Sequence, residues 1–274
     1  MQSFKKIWNS LLIVVVFLAT NYSKAQEQDP IPQHDSFTID SKILNEKRVI
    51  NVWNPLEYSQ NSLPVLYMAD GGVKEDFPHI ANTLAKLIKA KKIKPIILVG
   101  IENTERRRDL TGETQVAKDK KVAPVVGGSA KFRAFISDEL IPEINKKYRT
   151  TKEKGIIGES LSGLFVMETL MEKPELFDFY IAFDPSLWWN NQYLVKNAQK
   201  DLAKIPQNQQ KKLWFAGSGT KDISPMAMRL AKILETENKP NIIWKYSDEP
   251  KEKHNTIFRA TKEKALIWTL NNLK

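Results

Sequence analysis

The chain has 274 residues, 42 Lys and Arg against 32 Asp and Glu, 42% hydrophobic residues and no Cys. That length is ample for a buried core, and 27% charged with 9% aromatic residues is a globular composition. Without Cys there is no disulfide framework, no Cys-held metal and no thiol nucleophile, so any nucleophile is an oxygen or a nitrogen.

Residues 1–25 read as a secretory signal: Lys5 and Lys6 precede an apolar run from Leu11 to Ala19, and Ser23-Lys24-Ala25 is a small-x-small cleavage site. The run is shorter than the ~20 residues a spanning helix needs. An exported protein, periplasmic or secreted, is therefore expected, with its mature start at Gln26 and no stable membrane insertion. Removing Lys5, Lys6 and Lys24 leaves 39 bases against 32 acids, so the net charge falls from +10 to +7. The bases lie in short groups such as 89–94 and 106–108 without interleaved aromatics, so nucleic acid is not an expected partner.

From residue 36 onward, short β-rich runs alternate with helical patterns, which points to α/β architecture in one domain over 26–274. Strands are expected at 36–39, 48–53, 65–69, 96–101, 155–158, 179–183, 213–216 and 242–246. The first two are close enough for an antiparallel hairpin, and from 65 on the intervals admit crossover helices and a parallel sheet. Apolar spacing predicts helices at 77–88, 160–171, 225–234 and 256–270. A further stripe is formed by Phe132, Phe135, Ile136, Leu140, Ile144 and Tyr148. The longest irregular stretch, 102–128, is of a length that tends to serve function.

The sharpest motif is Gly158-Glu159-Ser160-Leu161-Ser162-Gly163, placed where a strand gives way to a helical stripe. A tight strand-to-helix turn there exposes Ser160 as nucleophile and aims the N–H of Leu161 at a developing oxyanion. Ser162 stands where the usual pattern has Gly, but it is small and Gly163 follows. A serine hydroxyl needs a base, and of the three histidines His34 lies in the polar lead and His79 at a helix start, which leaves His254 after the last strand. For the acid, Asp222 in the loop after the preceding strand is the leading candidate and Asp184 at the end of strand 179–183 the second. A Ser–His dyad is the third reading. In Asp70-Gly71-Gly72, glycine lets the backbone approach a ligand, so the N–H of Gly72 is the candidate second oxyanion donor. Trp188 and Trp189, near a strand end, suit stacking on an aromatic or sugar ring as well as a core. No metal site or cofactor is expected, because the histidines are scattered.

Together these residues resemble the Putative esterase family of α/β-hydrolases that includes esterase D and the ferric enterobactin esterases. The likeness spans roughly 36–272. It is carried by Val65-Leu66-Tyr67 before Asp70-Gly71-Gly72, by Asn103 with Arg106-Arg107-Arg108-Asp109-Leu110-Thr111, by the turn at Ser160, by Asp184-Pro185-Ser186-Leu187-Trp188-Trp189 and by His254. The resemblance implies an α/β-hydrolase fold, with a mostly parallel sheet of about eight strands and helices on both faces. It also implies a serine esterase acting on a small-molecule or glycan ester, with Asn103, Arg106 and Arg108 facing the cleft. An acyltransferase of the same fold and a non-catalytic exported binding module are the competing readings.

Overall fold

The computed structural model describes residues 29–271, so the signal segment expected at 1–25 lies outside the described residues. Each expected strand is present: β1 (Asp35–Ser41), β2 (Glu46–Trp53), β3 (Leu63–Met68), β4 (Ile97–Ile101), β5 (Thr150–Glu159), β6 (Phe179–Phe183), β7 (Lys211–Ser218) and β8 (Ile242–Glu249). They form one sheet in the order β1-β2-β4-β3-β5-β6-β7-β8. β1 pairs antiparallel with β2, and β2 antiparallel with β4. From there every pairing is parallel.

The helices are α1 (Phe77–Lys89), α2 (Arg106–Asp109), α3 (Ala117–Val122), α4 (Ser129–Phe135), α5 (Ile141–Lys147), α6 (Leu161–Glu172), α7 (Trp189–Lys204), α8 (Ser224–Glu237) and α9 (Ile257–Leu270). A π-helical segment, Ile136–Leu140, joins α4 to α5, so the stripe from Phe132 to Ile144 runs along one rod. Alternation along each strand sends side chains to two cores. Val65 and Tyr67 pack with Phe132, Phe165 and Met167 on one face. Leu66 and Met68 pack with Phe77, Leu84 and Leu266 on the other. β6 is buried at every residue because both of its faces are covered, which is why it reads as the unbroken run Phe179-Tyr180-Ile181-Ala182-Phe183.

α7 and the short α2 and α3 had no counterpart in the expected helices. Asn190, Asn191 and Gln192 open α7 with left-handed φ values of 47°, 53° and 62°. That opening breaks the helical period, although Leu194, Val195, Ala198 and Leu202 carry a buried stripe behind it. No helix among the described residues is long and apolar enough to cross a membrane.

Because β3 and β5 to β8 run parallel, their C-terminal ends share one edge. Asp70, Ser160, Asp184 and Ser218 all lie at that edge or just past it. This is where open α/β sheets hold their ligands. A cleft of about 1030 Å³ is lined by Leu63, Thr151, Lys211 and Ile243 at the opposite strand ends, away from Ser160.

Candidate active site

Ser160 sits between the end of β5 and the start of α6 with φ 58° and ψ −117°, a conformation that non-glycine residues hold only where the surroundings enforce it. The enforcement is visible. Its N–H donates to the Phe183 carbonyl at 3.0 Å, and its own carbonyl accepts from Ser186 and Leu164 at 3.0 and 2.9 Å. A Cβ at Gly158 would lie 2.2 Å from Ser162 Oγ and 2.7 Å from the Ser162 carbonyl carbon. Glycine is thus required at 158. Ser162, fully buried, fits the last place of the motif because the partner backbone opposite it has no side chain.

His254, on the turn between β8 and α9, places Nε2 3.0 Å from Ser160 Oγ. Its Nδ1 lies 2.7 Å from Oδ2 of Asp184. Asp184 follows β6 with φ 41° and has no solvent exposure. It also accepts from the Ser218 N–H at 3.0 Å and the Ser218 hydroxyl at 2.7 Å. A carboxylate only accepts, so Nδ1 carries the proton and Nε2 is left to accept from the Ser160 hydroxyl. The expected acid was Asp222, and here the structure corrects the sequence reading. Asp222 is exposed on the turn after β7. That turn instead contributes Ser218 to Asp184 and, through Thr220 Oγ1, accepts the His254 N–H at 3.1 Å.

On the oxyanion side, Leu161 opens α6, so its N–H has no acceptor within the helix. The Gly72 N–H, the expected second donor, is already engaged: it donates to Glu75 Oε2 at 2.7 Å. It becomes available to an oxyanion only when Glu75 gives up that bond. Glu159, immediately before Ser160, has its carboxyl pushed up to about 8 by burial and by the carboxylates of Asp76, Asp70 and Asp184.

The family model described as Putative esterase matches residues 41–269. The chain belongs to the Putative esterase family. Among curated relatives of this esterase-family chain, ferri-bacillibactin esterase BesA of Bacillus subtilis is 30% identical over 54% of this chain and 56% of its own length. The siderophore triacetylfusarinine C esterase of Aspergillus fumigatus is 26% identical over 62% and 61%. The chain thus spans less than two thirds of either relative. Among solved structures, an IroE-like serine hydrolase from Shewanella oneidensis superposes with a TM-score of 0.79 at 25% identity, covering 86% of this chain and 79% of that one. The BES protein from Bacillus cereus gives 0.79 at 22% identity, covering 90% and 100%. The fold is that of the α/β-hydrolases.

In this esterase-family site the residues expected to meet substrate divide. Arg106 grips Asp70 with two hydrogen bonds, at 2.5 and 2.8 Å. Asn103 bridges Asp70 and Glu75 at 2.6 and 2.8 Å. Both are thus spent on ordering the β3 turn, where Asp70 has a φ of 57°. Arg108 turns to Asp109 at 2.7 Å and Glu46 at 2.6 Å, alongside the buried Arg48, which binds the same two acids. That is a structural network under β2, and it takes Arg108 out of the expected substrate role. Trp189 is buried, and its Nε1 donates to the Gly112 carbonyl at 3.1 Å. His79 is buried between Asp76 and Lys262, at 2.9 and 3.2 Å, in a structural position. Sequence reading passed over Ser186, whose hydroxyl lies 3.3 Å from that of Ser160, and Ser218, the donor to Asp184. For Ser186 the available signal was its place in Asp184-Pro185-Ser186.

Proposed function

We propose that this chain is an exported serine esterase that hydrolyses ester-linked siderophores through an acyl-enzyme. The observation that carries the reading is the unbroken hydrogen-bonded series from Ser160 Oγ through His254 to the buried Asp184. Ser160 attacks the ester carbonyl as His254 Nε2 takes its proton, and Asp184 holds the imidazolium that forms. The N–H of Leu161 receives the oxyanion, joined by that of Gly72 once Glu75 releases it. His254 returns the proton to the leaving alcohol. Water, activated by the same imidazole, then releases the acid.

The siderophore assignment is supported by the relatives, whose names state esterase activity on ferri-bacillibactin and on triacetylfusarinine C. Export is supported by the charged, apolar and small-residue segments in 1–25. The test is product analysis by mass spectrometry after incubating the mature chain with an ester siderophore, with and without an added alcohol. Free acid in both arms is expected. An alkyl ester as the main product in the alcohol arm would make the chain a transferase, and intact substrate in both would remove the siderophore reading.

A further inference from the structure

A cavity of about 350 Å³ opens between α4, α6 and α7. On α6 its wall is Leu164, Glu168 and Met171, spaced by four and three residues, so one stripe of the helix faces it. This helix begins at the nucleophile. Leu164 is four residues past Ser160, roughly 6 Å along the axis. On the other side the wall is Trp189, five residues past Asp184 and pinned to the Gly112 carbonyl. The cavity thus runs alongside α6 from about one turn beyond the reacting centre.

Its lining is apolar from Leu164, Met171 and Trp189, and acidic from Glu113, Glu168, Glu172 and Asp201, burial pushing the Glu168 carboxyl up; neither Lys nor Arg lines it. Arg133, behind it, pairs with Glu168 and Glu172 at 3.1 and 2.7 Å. Two glycines seat the acids. A Cβ at Gly112 would lie 2.6 Å from Glu168 Oε1, and one at Gly127, where φ is 83°, 2.1 Å from Glu113 Oε1.

The opposite side of Ser160 has the same sign. Arg106, on the loop expected to meet substrate, is held in a two-bond grip by Asp70, and Asn103 is bound to Asp70 and Glu75. Glu159, beside them, has its carboxyl pushed up to about 8, first by burial and then by Asp76, Asp70 and Asp184, with Arg106 acting the other way. Both flanks of the nucleophile therefore oppose a negative charge.

Resting on the esterase reading, we propose that the cavity along α6 is a subsite for an ester arm that is apolar in its body and uncharged or cationic at its end. An anionic arm is discriminated against. Trp189 supplies a ring face for an alkyl or ammonium group, and the carboxylates favour a cationic end.

The test is kcat/KM for p-nitrophenyl esters with arms of matched length: hexanoate, 5-trimethylammoniopentanoate and the monoester of adipic acid, with acetate as the short reference. The first two are expected to exceed the adipate ester at least about tenfold in dilute buffer, the gap narrowing in about 0.5 M salt. Glu113→Gln should bring the adipate ester closer to the hexanoate ester. Leu164→Trp, which fills the cavity, should depress the hexanoate ester at least about tenfold relative to acetate. An adipate ester turned over as fast as hexanoate by the wild-type chain overturns the charge preference. Equal losses on acetate and hexanoate in Leu164→Trp overturn the subsite. Failure of the wild-type chain on acetate itself would instead count against the esterase reading.

Discussion

Oδ2 of Asp184 lies 2.7 Å from Nδ1 of His254, although Asp184 stands on a different strand end from the one at which an acid was first expected. Full burial and two further hydrogen bonds from Ser218 hold this carboxylate in place. Asp184→Asn would offer an amide whose N–H₂ turned to Nδ1 forces the wrong tautomer on His254. A fall in kcat of about a hundredfold to ten-thousandfold is expected on p-nitrophenyl acetate, against less than about twofold for Asp222→Asn. Parallel kinetics on the two variants decide between them, and the reverse ranking would return the role to Asp222.

The turn at Ser160 tolerates change at one glycine-like position and forbids it at the other. Gly158→Ala puts a methyl 2.7 Å from backbone carbon, so a loss of about 3 kcal/mol or more is expected, with activity falling alongside. Ser162→Gly only empties a buried hydroxyl that has no hydrogen-bond partner among the described residues, and should keep kcat within about threefold. Melting temperatures and kcat for both variants check this. A stable, active Gly158→Ala would mean the turn is looser than described.

Glu75 accepts the N–H of Gly72, the second oxyanion donor proposed above, at 2.7 Å. Truncating it to Ala frees the Gly72 N–H, so kcat/KM on a neutral ester should rise about threefold to tenfold. A fall, or no change, would show that Gly72 is not a donor in the transition state.

Glu159 links the site to stability. Its carboxyl, pushed up to about 8, keeps in the folded chain a proton that the unfolded chain, at the ordinary value of 4.5, has lost. Between those values the folded state binds more protons, so this group lowers stability as pH rises from about 4.5 to about 8, and the effect is flat above. Glu159→Gln removes that dependence. The melting temperature of the variant minus that of the wild type should increase by roughly 10 °C between about pH 4.5 and pH 8.5. A difference that stays constant across this range would show that Glu159 titrates normally.

How much of this was legible in the sequence follows from the range of the interactions involved. The strands and the main helices announce themselves through local apolar period, and the turn at Ser160 through adjacent small residues. His254 follows by elimination among three histidines. Asp184 against Asp222 is decided by which strand end faces His254, a matter of sheet order that local pattern does not encode. The roles of Arg106 and Arg108 were illegible for the same reason, because their partners Asp70 and Glu46 lie 36 and 62 residues away. α7 was hidden by Asn190-Asn191-Gln192, whose left-handed turn interrupts the period just before the buried stripe begins.

The most direct test of the esterase account is covalent labelling of the mature chain by a fluorophosphonate, with the modified residue located by peptide mass spectrometry. Labelling confined to Ser160 is expected, abolished in Ser160→Ala and slowed at least about a hundredfold in His254→Ala. A wild-type chain left unlabelled at Ser160, or labelled equally fast without His254, would contradict it.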